Sequence, residues 1–160
     1  MKTRSSIIEA DYASNQARFG MPRPLAPSGL LYVVTTHELQ GLRSALAQGR
    51  APADFEAKLA RLAGGSLTEC YVEHNSRLFL ALLLAAQANA FTKATPAERE
   101  RLLRVLAYVR KDDDAIPDYR PNGFIDDQQE VRAATTELHS LLLDFKVWRL
   151  RNQVPDLWRC

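Results

Sequence analysis

The sequence predicts an all-α fold, a single-domain bundle of five or six helices with an irregular N-terminal arm. Three observations support this prediction. After residue 35, apolar residues recur at spacings of three and four, the period of an amphipathic helix. Capping and proline signals precede several of these stretches. Only one short segment, LLYVV at 30–34, resembles a strand, and it has no second strand with which to pair.

The composition is that of one ordinary globular domain. The 160 residues are 46% hydrophobic and 25% charged, with a formal net charge of +2, which argues against wholesale disorder and against nucleic-acid binding. Cys70 and Cys160 are the only cysteines, too few for a disulfide framework. The basic start of the chain is not followed by the apolar core of a secretory signal. We therefore expect a cytoplasmic location.

Two parts of the chain differ in regularity. Residues 1–34 are expected to form the arm, because three prolines between 21 and 29 prevent a helix from continuing. The helical bundle is expected over 35–160.

The bundle begins with two short helices. Thr36 is predicted to cap the first, which ends near Gln48 with Gly49 as its stop. Pro52 is predicted to begin the second, which ends at Gly64. Because only about four residues join them, we expect an antiparallel hairpin.

A long helix follows. Ser66 and Glu69 have the spacing of a capping box, and the apolar pattern reaches about Phe91. The run LFLALLLAA at 78–86 is far shorter than the roughly 20 residues needed to cross a bilayer. We interpret it as the central helix of the bundle, apolar on most sides because neighbours surround it.

The next helix has the clearest start in the sequence, with Thr95 as the cap, Pro96 at the first position and Glu98 at the third. After a loop, Asp126 or Asp127 is predicted to cap one continuous last helix that reaches about Arg151. Its apolar residues are spaced by threes and fours: Val131, Ala134, Leu138, Leu141, Leu142, Phe145 and Trp148.

The loop between these helices, DDDAIPDYRPNGFIDD at 112–127, contains six aspartates. Calcium and magnesium prefer several carboxylate oxygens on a tight loop, so one hypothesis is a cation site. Its candidate ligands are Asp114, Asp118, Asp126 and Asp127. The alternative is structural, with the aspartates bound to backbone amides at turns and at the helix start. The EF-hand pattern is absent, because isoleucine and proline stand where a ligand and a glycine belong.

Other chemistry has little support. His37, His74 and His139 lie on separate predicted helices without a second ligand at zinc spacing. No nucleophile motif and no nucleotide-binding glycine loop is present. Glu69, Glu73 and His74 lie in a polar patch near the start of the long helix, where Glu73 and Arg77 have the spacing of an i,i+4 ion pair. We interpret this patch as a solvated face, with a pocket as the alternative.

The acidic loop resembles a known family. The residues are Ala107-Tyr108, D-A-I-P-D-Y at 114–119, Pro121, G-F at 123–124 and D-D at 126–127. They are similar in order and spacing to the core of the YkvA-like (DUF1232) domain family, whose signature is approximately A-Y, D-L-I-P-D-F, proline, G-Y and D-D.

The resemblance covers residues 102–138. It implies a helix-loop-helix with the motif aspartates at its joint, and it does not indicate any particular reaction. The apolar flanks of the family suggest membrane association, whereas the flanking residues here are polar.

These observations predict a non-enzymatic bacterial cytoplasmic protein that acts through a protein partner or as a homodimer. The expected contact residues are Tyr32 in the arm and Leu157 and Trp158 in the tail, apolar side chains that a monomer would need to bury. One alternative is a metal-dependent enzyme or sensor that uses calcium or magnesium at the acidic loop. Another is peripheral attachment to a membrane surface. No other cofactor, no nucleotide and no nucleic acid is expected.

Overall fold

The computed structural model describes residues 34–112 and 117–154. Within these ranges the chain forms helices and turns and no strand, so the predicted all-α bundle is confirmed. The helices are α1 (Thr36–Ala47), α2 (Ala53–Leu62), α3 (Leu67–Gln87), α4 (Pro96–Arg110), α5 (Ile125–Glu137) and α6 (His139–Arg151). Apart from the buried Val34, the predicted arm lies outside the described residues.

Helix α3 is the centre of the bundle. It packs against α1, α2, α4 and α5, and its apolar side chains are buried along most of its length, including Leu78, Phe79 and Leu82 at 0% exposure. This confirms the predicted central helix. None of the described helices is long and apolar enough to cross a membrane.

Three capping boxes fix the starts of α1, α3 and α4. The side chains of Thr35, Ser66 and Thr95 each accept a hydrogen bond from the backbone amide three residues later, and a glutamate at that position returns one. The boxes of α3 and α4 are the predicted ones. The predicted cap of α1 is wrong by one residue, because Thr35 rather than Thr36 has Glu38 at the third position.

Three other predictions about the helices are corrected. Helix α1 packs mainly on α4 and α2 mainly on α3, so the predicted hairpin between the two short helices is wrong. Helix α3 ends at Gln87 rather than near Phe91, and Asn89 two residues later has a φ of 56°. The last helix is not continuous. It is divided at Leu138 into α5 and α6.

The division at Leu138 has a local cause. The hydroxyls of Thr135 and Thr136 donate to the carbonyls of Val131 and Arg132, at 2.7 and 3.0 Å. Threonine bonds of this kind compete with the helical backbone pattern and bend helices. Both threonines lie in the last turn of α5, directly before the division.

An aromatic cluster holds α6 to the bundle. The rings of Phe145 and Trp148 stack with centroids 5.6 Å apart, and Phe91 from the loop after α3 contacts both, at 5.1 and 5.7 Å. Phe145 is 1% exposed. One face of α6 is thus fixed against the rest of the molecule.

Candidate functional site

We call Lys111 and the described part of the aspartate loop, residues 112 and 117–127, the acidic joint. Lys58 of α2 enters it with only 2% of its surface exposed. Its ammonium nitrogen lies 2.6 Å from Oδ2 of Asp118 and 3.6 Å from Oδ1 of Asp112. It also donates to the carbonyl of Lys111 and lies 5.7 Å from the ring centroid of Phe124. The cation that faces Asp118 is therefore an ammonium supplied by the protein.

Asp118 titrates near neutrality in this setting. Burial raises its pKa from the ordinary 3.8 to about 6, against the opposing effect of Lys58 and with a further upward contribution from Asp112. Its side chain is 12% exposed, whereas that of Asp112 is 70% exposed. Lys58 and Asp118 thus form the buried centre of the joint, and Asp112 lies at its rim.

The backbone of the joint is tightly folded. The amide of Asp118 donates to the carbonyl of Asp112 over 3.1 Å, and the amide of Gly123 donates to that of Arg120 over 3.0 Å. A Cβ atom on Gly123 would lie 2.7 Å from the Cα and carbonyl oxygen of Asp118 and 2.7 Å from the carbonyl oxygen of Pro117. Only glycine allows these backbone segments to approach so closely.

Asp126 and Asp127 do not cap α5, so that prediction is wrong. The helix begins at Ile125, and its N-cap residue, Phe124, makes no side-chain cap bond. The two aspartates lie in the first turn and are fully buried. The hydroxyl of Tyr108, from α4, donates to Oδ2 of Asp126 over 2.7 Å. Their position still suits the positive end of the helix dipole.

One turn further along α5, Glu130 is 5% exposed. Burial raises its pKa from 4.5 to about 7, opposed by Arg101 and reinforced by the charge of Asp126. No sequence pattern indicates this residue, because a lone glutamate on a helix is ordinarily solvated. Glu130 is the second carboxyl group of the interior that titrates near neutral pH.

The polar patch of α3 is partly buried, which corrects the predicted solvated face: Glu69 and His74 are half-buried, and Glu73 is fully buried. Glu73 is 0% exposed and accepts a hydrogen bond from Arg77, the i,i+4 partner that the spacing predicted. Arg77 also contacts Glu56 of α2 at 3.0 Å. Arg77 therefore links α3 to α2 through Glu56, whose side chain is 47% exposed.

The three histidines lie on separate helices, α1, α3 and α6, as predicted. His37 and His139 are exposed, and His74 is half-buried.

The candidate metal ligands have different neighbours. Asp118 faces Lys58, Asp126 faces Tyr108, and Asp114 lies outside the described residues. Across 34–112 and 117–154, no three histidine, cysteine or carboxylate side chains are arranged to hold a metal ion. The predicted contact residues Tyr32, Leu157 and Trp158 also lie outside the described ranges.

A second feature, on the opposite side of α6 from the aromatic cluster, is an apolar surface that we call the α6 stripe. It consists of Leu143, Val147 and Leu150 in the helix and Val154 just beyond it, with exposures of 54%, 37%, 80% and 37%. Their spacing is four, three and four. The prediction from the sequence assigned only the buried face of this helix. Leu143, Val147 and Leu150 were not part of that face, and their helical spacing could have predicted a second apolar face.

No family model matches the chain, and neither curated proteins nor solved structures provide a match. The YkvA-like resemblance of residues 102–138 therefore stays a prediction.

Proposed function

We propose that this chain is a non-enzymatic module that acts through protein contacts made by the α6 stripe. The observation that carries the proposal is the exposure of Leu143, Val147 and Leu150 along one face of a helix whose other face is packed. Contiguous exposed apolar surface of this kind is typical of interaction sites. Docking of helices on apolar partner surfaces uses the same spacing of anchor residues.

The stripe is presented on a rigid support. Phe145 and Trp148 fix the opposite face of α6 in the aromatic cluster, and the helix ends in a well-defined turn. In that turn the amide of Val154 donates to the carbonyl of Arg149 over 3.0 Å, and Gln153 has a φ of 53°. A partner would therefore meet a preformed surface, which lowers the entropic cost of binding.

The acidic joint favours an architectural role over a catalytic one. Its buried Asp118 is paired with Lys58, and Asp126 accepts from Tyr108, so these two carboxylates tie α2, α4 and α5 together. A metal-dependent function would rest on Asp114 together with these residues, and the contacts of the described aspartates lend it no support.

Site-specific photo-crosslinking tests the proposal in cells that express the protein from its own gene. A benzophenone amino acid at position 150 should give a discrete adduct heavier than the 18.0 kDa chain by the mass of a second protein. The same group at the exposed Thr136 of α5 is the matched control and should give none. Leu143→Asp in the crosslinking chain should abolish the adduct. Absence of any adduct from positions 143, 147 and 150 would overturn the proposal.

A further inference from the structure

We infer that the occupant of the α6 stripe is the α6 stripe of a second copy of this chain, with the two helices antiparallel. The inference rests on the proposed function and names its partner. It follows from two properties of α6, the spacing of its exposed apolar residues and the order of the charges beside them.

The spacing makes the stripe complementary to itself. Positions 143, 147 and 150 follow the alternation of four and three residues that forms the seam between two paired helices. Antiparallel pairing about a two-fold axis places Val147 against Leu150 of the second copy and, by symmetry, Leu150 against Val147 of the second copy. Leu143 then lies toward the end of the helix of the second copy, near its Val154.

The charges beside the seam select the antiparallel direction. Asp144 and Arg151 lie on one edge of the stripe, and Lys146 lies on the other; all three are exposed. In an antiparallel pair, residues on the same edge meet, so Asp144 faces Arg151 of the second copy at both ends. In a parallel pair, opposite edges meet, and Lys146 would face Arg151 of the second copy.

Asp144 keeps enough exposure for this contact. It lies 3.2 Å from Lys93 of its own chain, but half of its side chain remains exposed, as does 63% of that of Lys93. Arg151, at the last position of α6, is exposed as well. The antiparallel contact therefore adds a cation beside a carboxylate that is only partly neutralised.

The extent of the stripe sets the expected strength. Four apolar side chains give a contact smaller than the standard interface of about 1,600 Å². The dimer should accordingly be reversible, with a dissociation constant on the order of tens of micromolar. A domain of this kind would assemble where its local concentration is high.

Sedimentation velocity of the full chain, from about 5 to about 300 µM with a reducing agent, tests the inference. The mass should rise from 18.0 kDa toward twice that value. Leu150→Asp should weaken association at least about tenfold. Leu67→Asp is the matched control, because Leu67 is 91% exposed at the start of α3, and it should leave association unchanged.

A second variant tests whether the two helices pair antiparallel or parallel. In an antiparallel dimer, Arg151→Asp should weaken association about threefold or more, because the new carboxylate faces Asp144 of the second copy. In a parallel dimer, the same substitution should strengthen association, because the new carboxylate faces Lys146 of the second copy. A circular dichroism melt confirms that each variant is folded.

Three results would overturn the inference: a monomer over the whole concentration range, a dimer that survives Leu150→Asp, or a tighter dimer with Arg151→Asp. A monomer whose position 150 still crosslinks to a different protein would leave the proposed function standing. Loss of both signals would remove the two together.

Discussion

Replacing Lys58 with methionine should lower the free energy of unfolding by about 2–3 kcal/mol at pH 7.5, because it removes the ammonium that contacts Asp118 in the buried centre of the acidic joint. Methionine keeps the length and apolar stem of lysine. The loss therefore reports on the charge and its hydrogen bonds rather than on a cavity.

The size of the effect is limited because Asp118 can take up a proton when Lys58 is removed. Its pKa is about 6 with Lys58 present, so taking up a proton at pH 7.5 costs about 2 kcal/mol. Without Lys58 the pKa of Asp118 is higher still, so protonating this carboxylate costs less. The unpaired carboxylate can therefore destabilise the variant by at most about 2 kcal/mol. The lost bond from Lys58 to the Lys111 carbonyl adds about 1 kcal/mol.

Urea unfolding at pH 7.5 and 5.5, with thermal melts in parallel, measures the loss. The melting temperature should fall by about 5–10 °C at pH 7.5, and by less at pH 5.5, where Asp118 is already largely protonated. Adding Asp118→Asn to Lys58→Met should recover most of the stability, because no buried charge is then left. Arg61→Met on the same helix is the control, since Arg61 is 66% exposed and 3.8 Å from Asp112. If Lys58→Met behaves like Arg61→Met, the reasoning is refuted.

Three further predictions concern the interior. The pKa of Glu130 is about 7 in the folded state and about 4.5 in the unfolded state, so between these values the folded state holds the proton more strongly. The free energy of unfolding should therefore fall as pH rises through this range. Glu130→Gln should make this fall smaller by about 1–3 kcal/mol. Melting temperatures from pH 4.5 to 8 measure this, and equal slopes for both proteins would contradict it. Tyr108→Phe should cost about 1–3 kcal/mol in urea unfolding by removing the hydroxyl from the buried Asp126; the 78% exposed Tyr119 provides the matched Tyr→Phe control, expected within about 0.5 kcal/mol of the parent. Gly123→Ala should destabilise by more than about 2 kcal/mol, since its Cβ would meet backbone atoms at 2.7 Å; a loss below about 1 kcal/mol would show that the loop relaxes instead.

The helices were predictable because their signals are local. Ser66 with Glu69, and Thr95 with Glu98, satisfy each other's backbone groups across three residues, so sequence spacing alone identifies them. The break at Leu138 was missed because an uninterrupted apolar period does not record the threonine hydroxyls that bend the backbone. The apolar period therefore predicted that this part of the chain is helical, but it did not predict where the helix is divided.

The contacts of the acidic joint were not predictable in the same way. Lys58 and the Lys111 carbonyl are 53 positions apart, and lysine is among the residues least often buried. A single sequence contains no signal that selects Lys58 from the exposed lysines. The carboxylates could be located on the loop, but their partners depend on the packing of α2 and α4 against it.

The distribution of polar and apolar groups connects the joint with the stripe. Charged and hydroxyl groups from α2 and α4 are buried at the joint, where Lys58 meets Asp118 and Tyr108 meets Asp126. Apolar side chains are exposed on α6, where Leu150 is 80% accessible. Buried ion pairs add little net stability compared with apolar packing, but an arrangement that separates the two partners leaves a buried charge unpaired, which is costly. The joint therefore defines how α2, α4 and α5 meet, and α6, which packs on the bundle largely through α5 and the aromatic cluster, keeps its outer face available for a partner.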